Sequence, residues 1–422
     1  MSLPVARITP VTQPLVGRVT LPGSKSVTNR ALLVAGMARG TSRLTGILRS
    51  DDTHYMMTAL RAMGVGITEL DETTVEVTGT GTLHAAEEPL FLGNAGTATR
   101  FLTAAVALVD GTTIVSGDEH MQKRPIAPLL DTLQAMGVDA SSDTGCPPVT
   151  VRGTGTFQSG EIEVSGKLSS QYISAIMMLA AMGDGETRIT ITGGQIGAVG
   201  YLHITAAVMR AFGATVEFPS DSEIIVAPGG YTATDYHVEP DASAATYLWA
   251  AEKLTGGRID IGVAPEDMNQ PDAKAYDIIA AFPQMPAEID GSQMQDAIPT
   301  LAVLAAFNHT PVRFTGIENL RVKECDRIDA VHKGLTAIHE GLATVEGDDL
   351  IVNGSLALAG QARNSISLID SHADHRIAMS FALAALHLPG VTIEDPDCVS
   401  KTFPDYWEVL RGLGVEVNIT QP

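Results

Sequence analysis

Basic side chains in short polar, glycine-rich stretches recur from one end of this 422-residue chain to the other. Lys25 and Arg30 stand in Leu21-Pro22-Gly23-Ser24-Lys25-Ser26-Val27-Thr28-Asn29-Arg30, and Arg124 stands in Lys123-Arg124-Pro125. Lys323 and Arg327 fall in Asn319-Leu320-Arg321-Val322-Lys323-Glu324-Cys325-Asp326-Arg327, Arg376 in Asp374-His375-Arg376, and Lys401 near the end. The chain as a whole is acidic, with 49 Asp and Glu against 27 Lys and Arg and a net charge of -22. Such a protein repels anions at long range, so cations gathered at one place imply an anion site. Small molecules carrying phosphate or carboxylate groups fit that chemistry. Nucleic acid does not, because no basic stripe interleaved with aromatics accompanies the acidic balance.

Each motif also has a plainer reading. Pro22 to Arg30 follows a strand-like Gly17–Leu21 and precedes an apolar Ala31–Ala38 helix, so backbone N–H groups, Lys25 and Arg30 could hold an anion there. An ordinary capped helix would look the same. Ser24, not Gly, precedes Lys25, which argues against a nucleotide-binding P-loop. Leu92-Gly93-Asn94-Ala95-Gly96-Thr97-Ala98-Thr99-Arg100 opens a second apolar helix, where small residues allow close ligand approach or merely tight packing. Ser165-Gly166-Lys167-Leu168-Ser169-Ser170-Gln171-Tyr172 could hold phosphate or simply cap the Ile173–Ala181 helix. The alternating charges from Asn319 to Arg327 read most simply as a solvated face. Yet Lys323 and Arg327 would share one helical face, with Glu324 beside them.

The elements that must position these residues show a repeat. Leu60-Arg61-Ala62-Met63-Gly64-Val65 recurs as Leu133 to Val138, Met209 to Ala214 and Leu410 to Val415, with weaker copies at Ile278–Pro283 and Leu335–Leu342. Each is read as an amphipathic helix closing on Gly, followed in most cases by a β-branched strand. A spacing of about 60 to 75 residues gives six α/β modules, longer than solenoid repeats. Two domains of three modules suit the length. Leu21-Pro22-Gly23 and Val238-Glu239-Pro240-Asp241 are hinge candidates. They predict one domain of residues 1–22 plus 240–422, a second of 23–239, and a site in the cleft between them.

Other classes find little support. The longest apolar stretches, such as Phe101–Val109, are far shorter than a membrane span, and Met1 to Arg7 does not read as a signal peptide. Cys146, Cys325 and Cys398 lack CxxC spacing, which suits a reducing cytoplasm and predicts no disulfide framework. The histidines lack ligand spacing, so no metal is expected, and the G-x-S-x-G of a hydrolase is absent.

Taken together, the motifs resemble the 5-enolpyruvylshikimate-3-phosphate synthase family, colinearly from about Pro10 to Glu408. The resemblance rests on Leu21–Arg30, Leu92–Arg100, Lys123–Ile126, Ser169–Gln171, Arg321–Arg327, Asp374–Arg376 and Lys401–Tyr406. It implies a two-domain inside-out α/β barrel of six βαβαββ modules. It also implies transfer of the carboxyvinyl group of phosphoenolpyruvate to the 5-hydroxyl of shikimate 3-phosphate, with release of phosphate, on the route to chorismate and aromatic amino acids. No cofactor is implied, and a cytoplasmic monomer with no membrane or nucleic-acid partner is expected. Residues implied to hold phosphoenolpyruvate are Lys25, Asn94, Gly96, Thr97, Arg124, Gln171, Arg327, Arg376 and Lys401. Those implied for shikimate 3-phosphate are Lys25, Ser26, Arg30, Ser169, Ser170, Gln171, Tyr201, Asp296, Asn319 and Lys323. Asp296 is implied as the base on the 5-hydroxyl, and Glu324 and Lys25 as proton-transfer groups.

Three positions depart from the family pattern. Ala198 stands where Ser is common, Phe101 where Pro is common, and the stretch Ile289 to Gln295 diverges, leaving Asp290 as a rival to Asp296. Phe101 is expected to alter affinity for phosphoenolpyruvate or for glyphosate, the family's phosphonate inhibitor. Two alternatives remain. UDP-N-acetylglucosamine enolpyruvyl transferases share the architecture but usually carry a Cys before the Arg-Pro motif, and Ser116–Arg124 has none. A catalytically inactive anion-binding protein would be expected to lose Asp296, Glu324 or Lys25, and all three are present.

Overall fold

The structure, a computed structural model, describes residues 3–165, 169–193, 197–354 and 366–421. Gly166, Lys167 and Leu168 of the polar cluster, and Ile196 beside Ala198, lie outside those residues. The chain divides into two compact units, Met1–Pro22 with Pro240–Pro422, and Gly23–Glu239. Each has its own hydrophobic core.

The helix-closing repeat has a definite geometry. After the helix Asp51–Ala62, Gly64 takes φ +89°, its N–H reaches Arg61 O at 3.0 Å, and Val65 N reaches Leu60 O at 3.0 Å. The same six-residue closure recurs at Val138 N to Leu133 O, Ala214 N to Met209 O and Val415 N to Leu410 O. This is the Schellman motif: left-handed Gly turns the chain, and apolar residues at its two ends pack together. The recurring Leu-x-x-x-Gly-Val pattern is thus a backbone requirement.

Three sheets build the Gly23–Glu239 unit. In each, an edge strand pairs parallel to the next and the remaining pairs are antiparallel, as in Glu161–Ser165, Thr187–Thr192, Glu223–Val226 and Val216–Ser220. The other unit repeats that order twice, with Val5–Ile8 and Val417–Thr420 completing one sheet. Its third sheet is cut, among the described residues, to Val16–Arg18 beside Arg258–Asp260. The weak helix closure at Ile278–Pro283 explains the loss. Phe282 replaces the Gly and Pro283, next to it, has no N–H to close the turn, and the chain reaches the next module's strand, Glu288–Asp290, before a hairpin could form.

The first helix of each module is buried on nearly every side, and the second shows one apolar face. All ten residues of Gly96–Ala105 and all eight of Ile298–Ala305 are buried, as are most of Lys25–Met37, Ser170–Ala180, Ala242–Thr255 and His375–His387. Helices that are apolar or small all round belong in a core. Each unit therefore has three central helices with sheets outside them, an inside-out α/β arrangement. No helix among the described residues is long and apolar enough to cross a membrane.

Candidate active site

The polar residues singled out above fall mainly at the N-terminal ends of the central helices. Helix starts expose unpaired N–H groups and carry partial positive charge. The two units use that position differently.

In the Gly23–Glu239 unit the caps are neutral. Ser24 Oγ accepts from Val27 N at 3.4 Å, Ser169 Oγ accepts from Gln171 N at 3.3 Å, and Gly96–Ala105 starts without a side-chain cap. The helix carrying Lys25 begins at Lys25 itself, six residues earlier than the apolar run suggested, because Ser24 caps it. Lys25 is buried and pairs with buried Asp52 at 3.5 Å. Arg124 Nη1 donates to Asn94 Oδ1 at 3.2 Å and lies over Gly96, where a methyl group would meet both terminal nitrogens at 2.7 Å. Arg100 donates back to Gly96 O and to Pro125 O, and Gln171 Nε2 donates to Thr97 Oγ1 at 3.4 Å. Arg124, Asn94, Gly96, Thr97 and Gln171 therefore form one group.

Arg30 is committed more deeply. It is only 1% exposed, and donates to Thr205 Oγ1 at 2.7 Å, Ser26 O at 2.9 Å and Ser174 Oγ at 3.2 Å. Phe101, fully buried, lies under its guanidinium at 4.9 Å, with the Tyr201 ring at 5.8 Å. Burial pulls Arg30 down to about 10, although Tyr201 and Tyr236 oppose the shift. Phe101 thus continues the helix begun at Gly96 and supplies a cation–π floor for Arg30. Ser170 is buried at the next helix start, and Ala198 takes φ +59°, a left-handed conformation in which a side chain is strained.

The other unit has acidic caps. Asp241 Oδ1 accepts from Ala244 N, and Asp374 Oδ1 accepts from Arg376 N, both at 2.9 Å; Asp296 sits in the turn leading into Ile298–Ala305. Arg327 is 1% exposed and grips three carboxylates: Asp374 through Nε at 2.7 Å, Glu324 at 2.8 Å and Asp296 at 2.9 Å. Arg376 holds the second Asp296 oxygen at 2.8 Å, Lys323 lies 3.8 Å from the first, and Lys401 reaches Glu324 at 3.2 Å. Four cations and three carboxylates so form one network, buried around Arg327, Arg376, Asp374 and Lys401, with Asp296, Glu324 and Lys323 half-buried.

Burial works to raise the Asp296 carboxyl, but Arg376, Lys323 and Arg327 together hold it well below the ordinary carboxylate range. Burial pulls Lys323 below its usual value, and Asp296 opposes the change. Burial also disfavours charge on Arg327, yet Asp374, Glu324 and Asp296 keep it firmly protonated.

One expectation is corrected here. Lys323 and Arg327 do not share a helical face: Asp326 caps the Arg327–Ile338 helix by accepting from Asp329 N, so Lys323 precedes the helix. They meet instead at Asp296. Asn319, half-buried in the Glu318–Val322 turn, has no hydrogen bond or ion pair to the network among the described residues. Asp290 is exposed and accepts from Ser292 N at 2.8 Å. Sequence reading left Asp52, Ser174, Thr205 and Asp374 without assigned roles. Asp374 carried a signal, an Asp at cap position two residues before Arg376; Asp52, one of two adjacent acids at a helix start, carried none.

Fold and clusters define an α/β enzyme of repeated modules that handles small anions. A sequence profile for EPSP synthase (3-phosphoshikimate 1-carboxyvinyltransferase) matches residues 10–410. A 3-phosphoshikimate 1-carboxyvinyltransferase of Rhizobium leguminosarum bv. trifolii is 64% identical over 408 residues, 97% of each chain. The protein of the same name in Pseudomonas syringae pv. tomato is 61% identical over 97% of this chain and 98% of that one. Among solved structures, an EPSP synthase of Acinetobacter baumannii superposes with TM-score 0.79 at 26% identity, covering 99% of this chain and all of that one. The enolpyruvyl transferase NikO of Streptomyces tendae, TM-score 0.75 at 18% identity over the full length of both chains, shares the fold. The chain belongs to the EPSP synthase family.

Proposed function

We propose that this chain moves the carboxyvinyl group of phosphoenolpyruvate onto the 5-hydroxyl of shikimate 3-phosphate, releasing phosphate, in aromatic amino acid biosynthesis. Family membership over nearly the whole chain supports the reaction, and the Asp296 network supports the division of labour. Addition requires C3 of phosphoenolpyruvate to gain a proton while the attacking hydroxyl loses one. Collapse of the tetrahedral adduct then expels phosphate, whose charge fixed cations stabilise. Two polyanions must also be held together: at about 4 Å and an effective dielectric near 20, each unit pair costs about 4 kcal/mol.

Asp296 is our base for the hydroxyl. At rest its three cations keep it ionised and weakly basic. When substrate carboxylate and phosphate engage Arg376, Arg327 and Lys323, that hold loosens and Asp296 becomes a better proton acceptor. Glu324 and Lys25 serve proton transfer at the methylene carbon. Arg124, Arg327, Arg376 and Lys401, with Asn94, Gly96, Thr97 and Gln171, receive phosphoenolpyruvate. Ser26, Arg30, Ser169, Ser170, Tyr201, Asn319 and Lys323 receive shikimate 3-phosphate. The residues of both units serve one reaction. The protein works as a monomer, and three unpaired thiols suit a reducing cytoplasm.

Phosphate release from phosphoenolpyruvate tests this reading, with shikimate 3-phosphate and UDP-N-acetylglucosamine as parallel acceptors. Release with shikimate 3-phosphate alone is expected. Release only with UDP-N-acetylglucosamine, or with neither acceptor in folded protein, overturns the assignment.

A further inference from the structure

Ser26, Ser170 and Tyr201, all assigned above to shikimate 3-phosphate, stand in the first turns of three different helices, Lys25–Met37, Ser170–Ala180 and Gly200–Ala211. Four residues further along each helix, on the same face, come Arg30, Ser174 and Thr205. All three are buried and joined to one another. Arg30 Nε donates to Thr205 Oγ1 at 2.7 Å, Nη2 donates to Ser174 Oγ at 3.2 Å, and the two hydroxyl oxygens lie 2.8 Å apart. The joint also reaches back to the first turns. Arg30 Nη1 donates to Ser26 O at 2.9 Å, and the Thr205 hydroxyl lies 2.8 Å from Tyr201 O. A buried cation normally has a carboxylate beside it, as Arg327 has three. Arg30 has no ion pair among the described residues and is held by neutral oxygens alone. Those oxygens take three of the five guanidinium N–H groups without cancelling the charge.

We propose that Ser174 and Thr205 are positioning residues for shikimate 3-phosphate: they lock Arg30 to two neighbouring helices, which fixes the spacing of Ser26, Ser170 and Tyr201 and leaves the Arg30 charge for the substrate anion. The inference rests on the proposed reaction. Neither hydroxyl needs to touch the ligand. Thr205 carries most of the tie, because its one oxygen meets Arg30, Ser174 and the Tyr201 carbonyl together. Ser174 holds the same guanidinium from the helix that begins at Ser170. The rings of Phe101 and Tyr201, 4.9 and 5.8 Å from the guanidinium, add attraction without a countercharge. A carboxylate in place of either hydroxyl would hold Arg30 as firmly but would neutralise it before the substrate arrived.

The test compares Thr205→Val, which keeps the shape and loses the oxygen, with Thr205→Ser, which keeps the oxygen and loses a methyl group. KM for shikimate 3-phosphate and for phosphoenolpyruvate are measured, each at saturating co-substrate. Thr205→Val is expected to raise KM for shikimate 3-phosphate about tenfold, with KM for phosphoenolpyruvate and kcat within about threefold of wild type. Thr205→Ser is expected to stay within about twofold in every constant. A role in packing alone predicts the reverse order, with Val harmless and Ser damaging. That order, or an equal rise in both KM values for Thr205→Val, overturns the proposal. Ser174→Ala leaves the bond from Arg30 to Thr205 in place, and so carries the comparison even if Thr205→Val does not fold. It is expected to raise KM for shikimate 3-phosphate alone, by about threefold, and an unchanged value overturns the proposal. Folded wild type that releases no phosphate with shikimate 3-phosphate overturns the reaction assignment, and this inference with it.

Discussion

Replacing Asp296 by Asn separates two effects of one carboxylate. Asn keeps the size but has one acceptor oxygen for two guanidinia that hold different Asp296 oxygens at 2.9 and 2.8 Å, so its NH2 must face one of them, and the charge that balances both and Lys323 is gone. Removing one partner of a buried ion pair costs about 3–5 kcal/mol, because the other charge stays buried and uncompensated. Arg327 retains Asp374 and Glu324, so the strain falls mainly on Arg376 and Lys323. Lys323 offers an escape. Burial already favours its neutral form, and without Asp296 nothing comparable opposes that. A lysine whose folded value lies below its unfolded one binds fewer protons when folded, so stability rises with pH, by about 1.4 kcal/mol per unit while the states differ by a full proton. Asp296 itself is ionised in wild type throughout this range, because its folded value is depressed and its contribution is lost only in acid. The deficit of Asp296→Asn should therefore be about 3–5 kcal/mol at pH 6 and at least about 1 kcal/mol smaller at pH 9. Both tryptophans, Trp249 and Trp407, are buried in the core of this unit, so urea unfolding followed by their fluorescence reports on it selectively. Activity should fall by about 10²–10⁴ from loss of the base. A deficit below about 1 kcal/mol at both pH values, or one that grows with pH, refutes the charge-balance reasoning.

Substitutions at two further positions probe the other unit. Gly96→Ala places a methyl group 2.7 Å from the Arg124 terminal nitrogens and 2.6 Å from Arg100; these long side chains can shift, so the fold should survive while KM for phosphoenolpyruvate rises about tenfold or more, and an unchanged KM would remove Arg124 from that role. Phe101→Leu removes the ring under Arg30, 4.9 Å from its guanidinium, and should cost about 1–3 kcal/mol of stability and raise KM for shikimate 3-phosphate more than that for phosphoenolpyruvate, as initial-rate kinetics would show. Phe101→Pro, set within the Gly96–Ala105 helix, should be worse still, by about 3 kcal/mol, because it deletes an interior N–H; unchanged constants for phosphoenolpyruvate and glyphosate in a folded Phe101→Pro would show that this position does not govern either ligand.

What was legible in the sequence was whatever backbone geometry demands locally. Gly64, Gly137, Gly213 and Gly414 all take positive φ at helix closures, so the modular repeat could be read from glycine spacing alone. The abbreviated third sheet of one unit was harder to read, although Phe282-Pro283 in place of Gly-Val was its visible trace. Basic residues at helix starts pointed to anions, yet their partners were hidden. Lys25 finds Asp52, and Arg327 finds Asp296 and Asp374, across sequence separations that carry no periodicity. Lys323 and Arg327 show the opposite trap, since a spacing of four suggested a shared helix that the Asp326 cap rules out. Ser243 and Asp272 lay outside every recognised motif, and only the packing of the Pro271–Lys274 turn on the Ala242–Thr255 helix brings them together.

The two units spend the same architecture on opposite electrostatics. In one, Lys25 pairs with Asp52, while Arg30, Arg100 and Arg124 donate to hydroxyl, amide and backbone oxygens, and the central helix starts carry a hydroxyl cap or no side-chain cap. In the other, Lys323, Arg327, Arg376 and Lys401 are already matched by Asp296, Glu324 and Asp374. An anion meeting the second must take cations from carboxylates that hold them at 2.7–3.8 Å, and each carboxylate so released becomes more basic. Such a division suits a reaction that must hold two anions and also remove and deliver protons. On the proposed reaction, the first cluster supplies affinity and the balanced one converts binding into a change of proton affinity at Asp296 and Glu324.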